Sequence, residues 1–174
     1  MEIVRPEMIE HEALKIVGDR VGEVKSVDLE LMPCYVIDVS CDLLAGGDFY
    51  EKHSEKVCVN CLNRMISKIG RKFDLVKTFV WEHVKLSARI DREEATYLVK
   101  KWLVNELTTE KEMIVKQTDS STVFEKRDIT VDEESFEVKR IELYYFPIYH
   151  VEGDKKRFYV DALTGEARSS LMAI

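Results

Sequence analysis

Glutamine is almost missing from this chain. It occurs once in 174 residues, at Gln117, while Glu and Lys abound. That bias resembles thermophile composition, although four Cys and six Met run against it. Basic charge is short as well: 26 Lys and Arg against 33 Asp and Glu leave a formal charge of −7. Phosphate contacts need a basic face, so the balance disfavours nucleic acid as a partner. No apolar run approaches membrane-spanning length. The N-terminal MEIVRPEMIEHE is acidic and has no apolar h-region, so neither a secretory signal nor a membrane partner is expected, and the expected location is cytoplasmic. A Gly-rich phosphate loop is lacking too, since Gly46-Gly47 alone does not make one. His11-Glu12-Ala13-Leu14-Lys15 misses the zinc-peptidase signature because Lys15 stands where a second His is required. The other histidines, His53, His83 and His150, are scattered, and Ser120-Ser121 and Ser169-Ser170 have no base nearby. Glu133-Glu134 reads as a solvated turn. No catalytic residues and no cofactor are expected, and the reading leans away from an enzyme.

What is present is a repeat. Glu23 to Tyr35 (EVKSVDLELMPCY) lies over Glu137 to Tyr149 (EVKRIELYYFPIY) without a gap, at a constant shift of 114 positions. Six of the thirteen positions are identical, among them Leu29/Leu143, Pro33/Pro147 and Tyr35/Tyr149. Val57 to Leu62 then lies over Phe158 to Leu163. A helical element precedes each copy, with Glu12-Ala13 over Glu94-Ala95. Each copy reads as helix, strand, turn, strand.

Periodicity predicts a helix over Pro6 to Val17, with Met8, Ile9, Ala13, Ile16 and Val17 on one stripe. Val24 to Val39 reads as a strand in which Pro33 marks a bulge or an edge. Leu43 to Lys56, with Gly46-Gly47 and many charges, reads as a loop before a strand from Glu55 to Asn60. Leu62, Met65, Ile66, Ile69 and Phe73 recur at helical spacing, which predicts a helix of about three turns. Asp91 suits an N-cap for a helix running to Leu107, with Glu93 and Glu94 in its first turn. Glu112 to Val131 predicts two short strands around a turn at Asp119-Ser120-Ser121, and Asp132 to Ser135 a polar connection.

The chain has four cysteines: Cys34, Cys41, Cys58 and Cys61. A CxxC pair with two distant thiols has the ligand number of a zinc site, and a CxxC at a helix start has the setting of a redox thiol. Against zinc, the second copy replaces Cys34, Cys58 and Cys61 with Ile148, Tyr159 and Ala162. Buried structural thiols and no bound metal are therefore expected, with a thiol- or metal-dependent activity at Cys58 and Cys61 as the alternative. Tyr144, Tyr145, Phe146 and Tyr149 form an aromatic strand, with Phe158 and Tyr159 nearby and Lys155, Lys156 and Arg157 alongside. Core packing is the first reading of these rings. Partner recognition or self-association through Tyr144, Tyr145, Phe146 and Tyr149 is the binding hypothesis. Stacking on single-stranded nucleic acid is a lower alternative.

The run Phe158 to Glu166, FYVDALTGE, resembles the end of a PepSY domain, whose Asp, Thr and Gly are matched here by Asp161, Thr164 and Gly165. Glu93-Glu94-Ala95 resembles the start of that family's helix. The likeness implies small α+β units, each with one helix on an antiparallel sheet. It also implies ligand binding or inhibition, and no catalytic residues. The expected fold is thus α+β, internally duplicated: two helix-plus-antiparallel-hairpin units of PepSY or cystatin-like type. They occupy residues 1–73 and 91–174, joined by 74–90. The expected function is non-enzymatic binding or regulation, with a protein partner or a second copy of the chain as the candidate partner.

Overall fold

The computed structural model describes residues 1–70, 72–78, 81–117 and 121–170, without the side chains of 115 and 116. Two very long strands dominate it. β2 (Val24–Ala45) and β8 (Thr122–Gly153) lie antiparallel along almost their whole length. Both are rich in β-branched and aromatic residues, which fit a pleated surface covered on both faces. β3 (Asp48–Asn60) returns beside β2 from the Gly46-Gly47 turn, whose φ values of 60° and 93° are those of a two-residue hairpin. β9 (Arg157–Asp161) returns beside β8. Short strands β4 (Ile66–Lys68) and β10 (Ala167–Arg168) extend the outer sides, giving the order β10-β9-β8-β2-β3-β4. β1 (Glu2–Val4) and β6 (Val84–Lys85) join β8 and β2 in parallel, β5 (Leu75–Val76) pairs with β1, and β7 (Thr109–Gln117) pairs with β8.

The fold expected from sequence is corrected by this sheet. Among the described residues the chain is 56% strand and 17% helical, with two α-helices. Its ten strands form one mixed sheet rather than two helix-plus-hairpin units. The physical reason is that the two similar segments do not fold apart: each is the other's main partner. Met32 pairs with Phe146, Leu29 with Tyr149 and Tyr35 with Leu143. The sequence likeness therefore appears as matched register inside a single sheet.

Four local readings also change. Leu43 to Lys56 is strand on both sides of a two-residue turn, not a loop. Leu62 to Phe73 is a turn followed by β4, because Ile66 pairs with Val59 and Ser67 with Cys58. Asp132 to Ser135 lies inside β8, at a bulge where the Ser135 hydroxyl accepts from the Asp42 amide at 2.7 Å. Pro33 and Pro147 sit within the central strand pair, not at an edge or bulge. Each falls where the flanking partner changes: β6 gives way to β3 along β2, and β1 to β9 along β8. The Pro33 and Pro147 carbonyls accept from Cys61 and Ala162 on that side, so the absent proline N–H points into the gap and leaves no orphan donor. Of the expected turn, Asp119 and Ser120 lie outside the described residues, as do Phe79 and Val80.

α1 (Glu10–Val17) and α2 (Arg92–Leu107) pack on the same side of the sheet. α1 buries Ala13 and Val17 against Leu29, Tyr149, Val151 and Val160. α2 starts at Asp91, whose carboxylate accepts from the Glu94 amide at 2.8 Å. It buries Ala95, Val99 and Leu103 over Ile37, Val57 and Val59. Leu29 and Ile37 are an even number of residues apart on β2, so they share a face. The opposite face carries Met32, Cys34, Val36, Tyr144, Phe146 and Ile148, and among the described residues no helix covers it. Leu62, Leu163, Ile69 and Phe73 cover it instead. Among the described residues no helix is long and apolar enough to cross a membrane.

Candidate functional site

A cavity of about 470 Å³ lies on the helix-free face. Its floor is Met32 and Cys34 of β2 and Phe146 of β8. One wall is Cys58 and Asn60 of β3 with the chain from Met65 to Gly70, and Phe73 closes above. The other wall is Asp161, Leu163 and Thr164. Phe73 meets Phe146 edge to face at 5.5 Å between centroids and Tyr144 at 5.9 Å, a geometry that aromatic quadrupoles favour.

Two matching turns hold the walls. After β9 the Asp161 carboxylate accepts from the amides of Leu163 (2.7 Å) and Thr164 (3.2 Å), and the Thr164 hydroxyl accepts from the Glu166 amide at 3.2 Å. Gly165, at φ 75°, donates its amide to the Asp161 carbonyl at 2.9 Å. After β3 the Asn60 side-chain oxygen accepts from the Leu62 amide at 2.8 Å, and Arg64, at φ 63°, takes the place of the glycine. Each turn puts a leucine, Leu62 or Leu163, under the sheet. An amide oxygen thus does at Asn60 what a carboxylate does at Asp161. Asp161→Ala should destabilise the protein by about 1–2 kcal/mol through two unmet amide donors, while Asp161→Asn should cost much less. Urea midpoints of the two variants check this, and equal losses would contradict it.

The cysteines do not converge as a set of four. Cys41 is buried with Leu43, Ala45 and Ile129, opposite His53 on β3. Cys61 lies in the core under α2, where burial pushes its thiol up to about 11. Cys34 and Cys58 lie on the cavity face. Burial raises the Cys34 thiol well above its ordinary value, and the neighbouring Cys58 adds to the effect. Among the described residues no group of three or more His, Cys, Asp or Glu is arranged to hold a metal ion. Nucleophilic thiols need a lowered pKa, which is the reverse of the environment of Cys34 and Cys61.

The aromatic strand is packed inside the chain. Tyr144, Tyr145 and Tyr149 are buried, and Phe146 is half-buried on the cavity floor. Tyr149 donates to the Met8 carbonyl at 3.2 Å and Tyr144 to the Glu142 carboxylate. Burial, followed by that hydrogen bond, raises the Tyr144 phenol to about 12. Tyr145 lies beneath the Lys85 ammonium at 4.6 Å. Phe146 lines the cavity described above, while Tyr144 and Tyr149 each border another cavity of the described residues.

Sequence reasoning missed a polar pair on the cavity side of the sheet. His150 Nδ1 lies 3.3 Å from Glu30 Oε1, and its ring stacks on Tyr159 at 4.6 Å. Glu30 and His150 are diagonal across β2 and β8, a neighbourhood created only by long-range register. His150 Nε2 is buried without a hydrogen-bond partner, and the residue does not line the cavity. No family model, no curated protein and no solved structure matches this chain.

Proposed function

We propose that the protein is a non-enzymatic binding module and that the cavity between β4 and the turn after β9 takes a small, largely apolar molecule. The carrying observation is the cavity itself. Its volume of about 470 Å³ lies within the range of roughly 300–1,000 Å³ typical of small-molecule sites. Its lining includes Met32, Ile69, Phe73, Phe146 and Leu163, with Asn60 and Ser67 on one wall and Asp161 and Thr164 on the other as polar points. Such a lining offers apolar contact and a few orienting hydrogen bonds, but no base beside a nucleophile. The resemblance of Asp161, Thr164 and Gly165 to the PepSY motif supports the same reading, because it implies binding without catalysis.

Met65 provides the test. It lines the cavity yet is 48% exposed, so enlarging it need not disturb the core. The folded protein should enhance the fluorescence of 1-anilinonaphthalene-8-sulfonate saturably. Met65→Trp should abolish that signal while the melting transition stays in place. Native protein that does not bind the dye, or a Trp variant that binds it unchanged, contradicts the proposal.

A further inference from the structure

The part of the cavity shared by β2 and β3 carries three sulfur atoms on one face. Cys34 stands opposite Asn60, and Cys58 stands opposite Val36, so the two thiols are diagonal neighbours. Diagonal positions hold their α-carbons about 7–8 Å apart, beyond the separation of about 4.4–6.8 Å that a disulfide usually tolerates. Cys58 nevertheless packs against the cluster that holds Cys34 and Met32. Met32, two residues before Cys34, lines the same cavity with both. The Asn60 amide donates to the Met32 sulfur at 2.9 Å and holds the thioether in place.

We propose that Cys34 and Cys58 bind a soft, low-coordinate metal ion of the Cu(I) class, with the Met32 thioether as a third donor. The proposal deepens the cavity reading and rests on it for the open, apolar wall. Thiolate and thioether are the ligand types that select such ions. Zinc asks for four ligands in a tetrahedron, and the remaining thiols are turned elsewhere, Cys61 under α2 and Cys41 toward Ile129. Two metal–sulfur bonds of about 2.3 Å each, the zinc–thiolate length, separate the sulfurs by up to about 4.6 Å. That is a wider gap than a disulfide closes, and it suits two side chains of one packed cluster. On binding, two S–H bonds break, two protons pass to solvent and two metal–sulfur bonds form. The oxidation state of the ion is unchanged. The bound unit carries one negative charge.

Anaerobic titration of the reduced protein with Cu(I), in competition with bicinchoninate, tests this. One ion per chain is expected, with a sulfur-to-metal charge-transfer band in the near ultraviolet. Cys58→Ser and Cys34→Ser should lose both signals, and Cys41→Ser and Cys61→Ala should keep them. Cys58 is only partly buried, so its variant decides the matter if Cys34→Ser does not fold. No retention against the competitor, equal loss in the Cys41 or Cys61 variants, or preferential retention of zinc overturns the proposal. The dye experiment separates the two readings. Dye binding without Cu(I) binding leaves the cavity reading standing and removes this one. Cu(I) binding without dye binding retains the metal site and removes the apolar ligand.

Discussion

Ile37→Ala should lower the free energy of unfolding by about 2–5 kcal/mol, the cost of emptying a well-packed aliphatic site. Ile37 is fully buried at the middle of β2. Val57 of β3 lies on one side of it and Ile141 of β8 on the other. Ala95 and Val99 of α2 belong to the same core. Strands flank it on both sides and a helix lies above, so the surroundings have little freedom to collapse into the hole. Against a typical total of about 5–15 kcal/mol, the loss is a large share of what holds the chain folded. Ile114→Ala is the contrast: that side chain is 57% exposed on β7, and the change should fall within about 0.5 kcal/mol. Urea unfolding with an unchanged slope measures both. The Ile37 variant should also bind the cavity dye normally while folded, because Ile37 and the cavity lie on opposite faces of the sheet. A loss near that of Ile114→Ala would mean that α2 does not cover this position.

The helices were legible because their signals are local. Asp91 as N-cap, the acidic first turn and the stripe Ala95, Val99, Leu103 all lie within one short segment, and α2 forms there. The outer strands were not legible for the opposite reason. Beyond the core, β2 and β3 pair through residues such as Asp42 with Lys52 and Leu43 with Glu51. The β3 partners Lys52 and Glu51 are exposed, so composition there resembles a loop. The overlooked signal was Gly46-Gly47, a dipeptide suited to a two-residue hairpin. Leu62, Met65, Ile66, Ile69 and Phe73 fit a helical period by count alone. The burial of Leu62, Ile69 and Phe73 comes from a turn and a three-residue strand wrapping under the sheet, and a window that short does not separate the two. The cavity was not readable, because its floor pairs Met32 with Phe146 and only the register of β2 on β8 brings them together.

That register is set at its far end by Gly153, and there the second large effect is expected. Gly153→Ala should cost on the order of 4 kcal/mol, the sum of about 1–3 for steric overlap and about 1 for each of two weakened hydrogen bonds. Gly153 pairs with Val24, where the chain enters β2. A methyl group there would stand 2.2 Å from the Val21 carbonyl oxygen and 2.7 Å from a Val21 methyl. The nearest obstacle is backbone, so no rotamer change relieves it. Moving the 21–24 segment away would stretch the bonds from Asp154 N–H to the Glu23 carbonyl (3.0 Å) and from Lys155 N–H to the Val21 carbonyl (3.3 Å). It would also lift Val21, a fully buried member of the core beneath α1. Gly70→Ala is the control, since nothing lies within 4 Å of a methyl group at that position and its φ is not in the left-handed region. Thermal melts and amide exchange read the result: a lower melting temperature with fast exchange at Asp154 and Lys155 is expected for Gly153→Ala and not for Gly70→Ala. If the two variants melt together with both amides protected, β2 does not enter the sheet against Gly153, and the register that aligns Met32 with Phe146 must be set elsewhere.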